Sequence, residues 1–106
     1  PSKVFLQLDM GNIYGTGAHP IAIVKNNPGR FLSVHVKDEI KATEPGESPY
    51  ESCVLGKGFA GTRAITDVCA SVGGTTHFIV EQESYQGQTP LAAVKQDLAI
   101  LKSWGY

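Results

Sequence analysis

The stretch Phe31-Leu32-Ser33-Val34-His35-Val36-Lys37-Asp38 decides how this chain is read. Side chains alternate faces along a β-strand. Leu32, Val34 and Val36 then share an aliphatic face, while Phe31, Ser33 and His35 share a mixed one. A strand over 31–36 therefore ends with an imidazole on its more polar side, followed by a lysine and an aspartate.

Two further stretches obey the same rule. A strand over 4–8 sets Val4, Leu6 and Leu8 against Phe5, Gln7 and Asp9. A strand over 76–81 sets Phe78 and Val80 against His77, Ile79 and Glu81. The aliphatic faces predict a cover of helices, and a helical pattern follows each strand. Pro20 suits a first helical turn, with Ile21 and Val24 behind it and Pro28-Gly29 as a stop. Ile65, Val68, Cys69 and Val72 recur at i, i+3, i+4 and i+7 and predict a helix over 62–72. Thr89-Pro90 reads as a cap and first-turn proline, ahead of one face made by Leu91, Val94, Leu98 and Leu101. The order β-α-β-α-β-α implies parallel strands joined by right-handed crossovers. The whole of 1–106 forms a single α/β domain.

The connection over 38–60 is the longest. It carries Pro45-Gly46, Pro49, Gly56 and Gly58. Long connections after a strand lie over the active end of such sheets, so this one is expected to act as a mobile lid.

Composition narrows the function. Nine Lys plus Arg against ten Asp plus Glu leave a net charge of −1 in 106 residues. This excludes an electrostatic case for nucleic acid or an anionic membrane surface. No apolar run approaches the roughly 18 residues of a membrane helix. The two cysteines, Cys53 and Cys69, fit neither a disulfide framework nor a zinc motif and are expected reduced. A cytoplasmic location is expected. The chain opens at Pro1 without a Met, so a periplasmic or secreted one stays open.

Asp9, His35 and Glu81 each close a strand on its polar face, at the carboxyl end where α/β folds place their sites. Two carboxylates and one imidazole favour a divalent metal. Mn²⁺ suits them best, with Mg²⁺, Co²⁺ or Zn²⁺ as alternatives. Lys37 shares the parity of His35 and is a candidate for substrate binding and for stabilising an oxyanion. Asn12 and Asp38 are further candidates for binding substrate, though each also suits an ordinary turn.

Four segments in order, Leu8-Asp9-Met10-Gly11-Asn12, Val34-His35-Val36-Lys37-Asp38, Leu55-Gly56-Lys57-Gly58 and Phe78-Ile79-Val80-Glu81-Gln82, resemble the carboxyl-terminal half of the sugar phosphate isomerase/epimerase family, the xylose-isomerase-like (β/α)₈ TIM barrels. The resemblance implies a partial barrel of about three βα units, strands 6 to 8 of the family. It also implies metal ligation by Asp9, His35 and Glu81, with Glu81 doubling as a catalytic acid/base and Lys37 assisting. The family's fourth ligand and second acid/base glutamate have no counterpart here. Asn12 stands where the ketose epimerases of the family carry His, and Lys57 where a Glu is frequent.

The function implied is sugar or sugar-phosphate isomerisation or epimerisation, by metal-assisted proton transfer through an enediolate. The fragment alone is expected to be inactive. Lyase or β-elimination chemistry on an oxidised sugar is an alternative, as is a non-catalytic sugar-binding fragment. A related nuclease-type barrel with a zinc cluster fits poorly with the charge balance. The expected partners are a small sugar, the missing amino-terminal half of the barrel and further copies of the chain as a homo-oligomer, because the mixed sheet face would leave Phe5, Phe31 and Ile79 wet.

Overall fold

The computed structural model describes residues 3–106. Its elements run β1 (Leu6–Asp9), α1 (Met10–Ile13), α2 (Pro20–Asn26), β2 (Phe31–Val36), β3 (Asp38–Lys41), β4 (Tyr50–Cys53), α3 (Thr62–Val68) with a π-helical turn over Cys69–Gly73, β5 (His77–Val80) and α4 (Pro90–Ser103). Strands β1, β2 and β5 form a parallel sheet with β2 in the middle. Leu8, Val34 and Phe78 line up across it, and so do Asp9, His35 and Ile79. Helices cover one face. Val24 of α2, Ile65 of α3 and Leu101 of α4 close over Leu8, Val34 and Val36 in a shared core.

The partial barrel does not form. A series of βα units needs every strand in one parallel sheet and a simple loop before each helix. Between β2 and α3 the chain instead builds an antiparallel hairpin, β3 against β4, as a separate two-stranded sheet. The fold is α/β with mixed sheets, three strands parallel and two antiparallel, and four helices. Pro45, Gly46 and Pro49 make the return between two strands, not a structureless stretch. Ala42 N–H bonds to the Pro49 carbonyl, and Thr43 and Glu51 tie across just above it.

The 38–60 segment lies at the carboxyl end of the sheet, as expected of a lid, and is fastened there. Asp38, Glu39 and Ser52 are buried, and one carboxylate pins the end of the segment. Asp38 Oδ2 accepts from the backbone N–H of Gly56 and Gly58, and Oδ1 accepts from Glu39 and Ala60. Gly58 is required there, because a Cβ would stand 2.3 Å from Asp38 Oδ1 and 2.5 Å from the Glu39 carbonyl.

Strand parity holds toward the carboxyl end and fails at the other. Leu6 pairs with Phe31 while Gln7 pairs with Ser33, so Leu32 is an extra residue in β2. A bulge of one residue swaps the faces beyond it. Phe31 is buried against the helices and Leu32 is exposed, the reverse of strict alternation. In α4 the expected face is also displaced. Ala93, Asp97 and Leu101 point inward, and Leu91, Val94 and Leu98 are 65%, 41% and 47% exposed. Asp97 decides this rotation, since its Oδ1 accepts from the Leu55 N–H at 2.9 Å in the interior. His77 is exposed at the start of β5. His19 occupies the N-cap of α2 without a side-chain capping bond. No helix among the described residues is long and apolar enough to cross a membrane.

Candidate metal centre

Asp9, His35 and Glu81 meet at the carboxyl end of the parallel sheet. Asp9 and His35 sit opposite one another in β1 and β2. Glu81 follows β5 directly, its N–H bonded to the Val36 carbonyl. The three side chains each present a ligand atom within 4.8 Å of the other two, and all three residues are partly buried.

Each carboxylate is divided between two tasks. Asp9 is the N-cap of α1, where Oδ1 accepts from Asn12 N–H at 2.9 Å. Its Oδ2 is left to face His35 Nδ1 at 3.4 Å. Glu81 Oε2 lies against the same His35 nitrogen, and Oε1 is 3.7 Å from Lys37 Nζ. Glu81 Oε2 is sealed from solvent, with the His35 nitrogen as its close polar neighbour. Ligands bound at about 2.0–2.2 Å to one ion lie at most about 4.4 Å apart. The cluster is within a few tenths of an ångström of that span, and its donors are those of a divalent cation with mixed oxygen and nitrogen preference. Asp9, His35 and Glu81 are the residues that could hold a divalent cation here.

Lys37 is the cation of the site. Its stem is buried against Gly11, and its ammonium contacts Glu83 as well as Glu81. Burial pulls its pKa down. The hydrogen bond to Glu83 and the charges of Glu81, Asp9 and Glu83 outweigh that and hold it above the usual lysine value.

The other candidates fall in different places. Asn12 is exposed at the edge of the cavity beside the cluster, with Lys37 on the same wall. Asp38 turns away, with both oxygens occupied by the four backbone N–H groups of the 56–60 loop and its own neighbour. Sequence reasoning missed Glu39, Ser52 and Glu83. Glu39 is 6% exposed on the cavity wall. Burial pushes its carboxyl up, Lys37 opposes, and Glu83, Asp9 and Asp38 add to the rise. Ser52 Oγ accepts from the N–H of Glu83 and Ser84 and so fastens the hairpin to the segment after β5. A charged residue two beyond two of the three strand-end ligand candidates, Lys37 after His35 and Glu83 after Glu81, was the available signal for Glu83. A slightly larger hollow of about 390 Å³, between Arg63 and Trp104, lies behind Asp38 and contains none of the cluster residues.

No family model matches the chain. Over 53 residues, half of its length, the chain is 32% identical to the Escherichia coli (strain K12) "Uncharacterized protein YihM". The match spans 16% of that relative, so the chain corresponds to a small part of it.

Proposed function

We propose that the Asp9–His35–Glu81 cluster holds a divalent metal, Mn²⁺ before Mg²⁺, Co²⁺ or Zn²⁺, and that the site isomerises or epimerises a sugar by proton transfer. The observation that carries this reading is the convergence of Glu81, His35 and Asp9, whose ligand atoms all lie within 4.8 Å of one another at the carboxyl end of the sheet. A bound divalent ion supplies charge stabilisation for adjacent carbonyl and hydroxyl oxygens.

The chain's own residues supply one side of the proton transfer. Glu81 takes the proton from the carbon next to the carbonyl, and the C–H electron pair moves into an enediolate. Returning that proton from Glu81 to the neighbouring carbon, while the hydroxyl proton passes to the former carbonyl oxygen, gives isomerisation; epimerisation needs an acid on the opposite face, for which this chain has no counterpart. Lys37, with its pKa held high, stays an ammonium and faces the oxygen on which charge develops. Asp9 fixes the ring of His35 and closes the site through its cap on α1.

Cys53 and Cys69 are buried free thiols, and we place the protein in the reducing cytoplasm. The exposed Leu91, Val94 and Leu98 strip supports a partner on α4, which for the chain by itself is a second copy.

The test is a sugar screen in D₂O with Mn²⁺ supplied. Solvent deuterium should appear at the carbon beside the carbonyl, the half-reaction that Glu81 performs by itself. Loss of water from an oxidised sugar would indicate elimination instead. Absence of exchange with every aldose and ketose tried, while Mn²⁺ is bound, would remove the isomerase reading.

A further inference from the structure

A cavity of about 340 Å³ adjoins the metal cluster, between α1, the β3–β4 hairpin and the segment after β5. Asn12, Lys37, Glu39, Tyr50 and Glu83 are on its wall. The sole lysine there is already engaged by Glu81 and Glu83. Glu39 is a buried carboxylate lining this space, and among the described residues nothing donates a hydrogen bond to it. Glu51 adds a further carboxylate at the rim.

We propose that this cavity takes the hydroxyl-bearing chain of an uncharged sugar, with the Glu39 carboxylate accepting from the sugar's hydroxyls, and that it disfavours the phosphorylated form of the same sugar. The inference rests on the proposed function and deepens it by naming the substrate class. A buried acceptor without a donor is satisfied by an O–H that the ligand brings. A phosphate would instead meet three carboxylates, Glu39, Glu51 and Glu83, against the single ammonium of Lys37, and like charges brought together at short range are strongly unfavourable. Glu83, Asp9 and Asp38 add to the negative field at Glu39, which Lys37 only partly offsets. Gly11 sets the width of the cavity. A Cβ there would stand 2.5 Å from Glu39 Oε1 and from Lys37 Cδ.

The test uses the full chain, first metal-free under chelator and then with Mn²⁺, whose binding is followed separately by electron paramagnetic resonance. Saturation-transfer NMR and calorimetry measure binding of the four D-ketohexoses, their 6-phosphates and inorganic phosphate. At least one free ketohexose should bind, about tenfold or more tightly than its 6-phosphate, and inorganic phosphate should not compete. Glu39→Gln should weaken that binding about fivefold or more. Gly11→Ala should weaken it as well, and thermal melts check that both variants fold. If Glu39→Gln does not fold, the comparison of free and phosphorylated sugars in the unaltered chain still decides. Equal or tighter binding of a 6-phosphate, competition by phosphate, or no binding of any free ketohexose overturns the proposal. So does full binding by a folded Glu39→Gln variant. Sugar preference without Mn²⁺ binding supports the cavity and sinks the metal reading. Mn²⁺ binding without sugar preference does the opposite.

Discussion

Lys37 Nζ stands 3.7 Å from Glu81 Oε1, the two residues following directly on the paired Val36 and Val80 at the carboxyl end of the sheet. The lysine therefore touches a ligand candidate without being one. Lys37→Gln is expected to keep Mn²⁺ binding within about threefold while turnover falls by about a hundredfold, the range for a lost charge-stabilising donor. His35→Ala should lose the metal itself. Equal metal loss in both variants, measured by paramagnetic resonance, would show that Lys37 builds the centre and does not act on the substrate.

Asp38 holds Gly56, Gly58 and Ala60 with one carboxylate. Hydrogen bonds to a charged group are worth about 1.5–3 kcal/mol, and here several are lost together. Asp38→Ala should destabilise the fold by about 3 kcal/mol or more in urea denaturation. Amide exchange at Gly56, Gly58 and Ala60 should accelerate more than exchange in β2. Gly58→Ala is expected to produce the same local signature, because its Cβ enters the space of the same carboxylate.

Burial pushes the Asp97 carboxyl up, although the Leu55 N–H works against the rise. The folded chain therefore binds this proton more tightly than the unfolded chain. The stability contributed is complete below the ordinary aspartate value of about 3.9 and is lost as pH rises through the folded value. Asp97→Asn removes that titration. Its stability relative to the unaltered chain should improve as pH increases from about 3.5 to 7. A difference between the two that does not vary with pH would contradict the assignment.

The Cys53 thiol is pushed up to about 12 by burial, with Asp38, Glu39 and Asp97 adding to it. Burial also raises Cys69, against a hydrogen bond with Thr75. Only the thiolate reacts quickly with disulfide reagents. Neither thiol should react with Ellman's reagent at pH 8 in the folded chain, and both should react at once in urea.

Leu91, Val94 and Leu98 form an exposed apolar strip on α4. Light scattering on the 11.3 kDa chain should show association at micromolar concentration, and Leu98→Glu should shift it toward the monomer. A clean monomer before the substitution would show that the strip is tolerated in water.

Much of the site was legible because the parallel sheet repeats with a period of two. Asp9, His35 and Glu81 fall at strand ends on one parity, and the strands align them. The parallel order was legible from the helical patterns between strands. The hairpin was not, because Pro45, Gly46 and Pro49 signal a break while saying nothing of whether the flanking residues pair. Phe31 and Leu32 misled because an inserted residue leaves no mark in the pattern of polarity. The face of α4 misled because three leucines and a valine outweigh one aspartate by hydropathy, whereas one buried N–H on Leu55 outweighs them in the folded chain. Glu39 has no signal of its own, since a glutamate beside an aspartate ordinarily reads as a solvated loop.

The bulge at Leu32 works as a phase shifter within a single strand. Ahead of it, the residue chosen for packing is Phe31, and beyond it the residues on the opposite parity fill the core. The two ends of β2 are thereby released from a common rhythm. Drift in the packing of Phe31 against Val24 and Gly73 leaves the direction of His35 untouched. Excising one residue from 31–33 would instead force a compromise, returning Phe31 to the wet face or turning the imidazole into the core. The strand keeps its hydrophobic anchor and its chemical end under separate control, so that selection on one need not disturb the other.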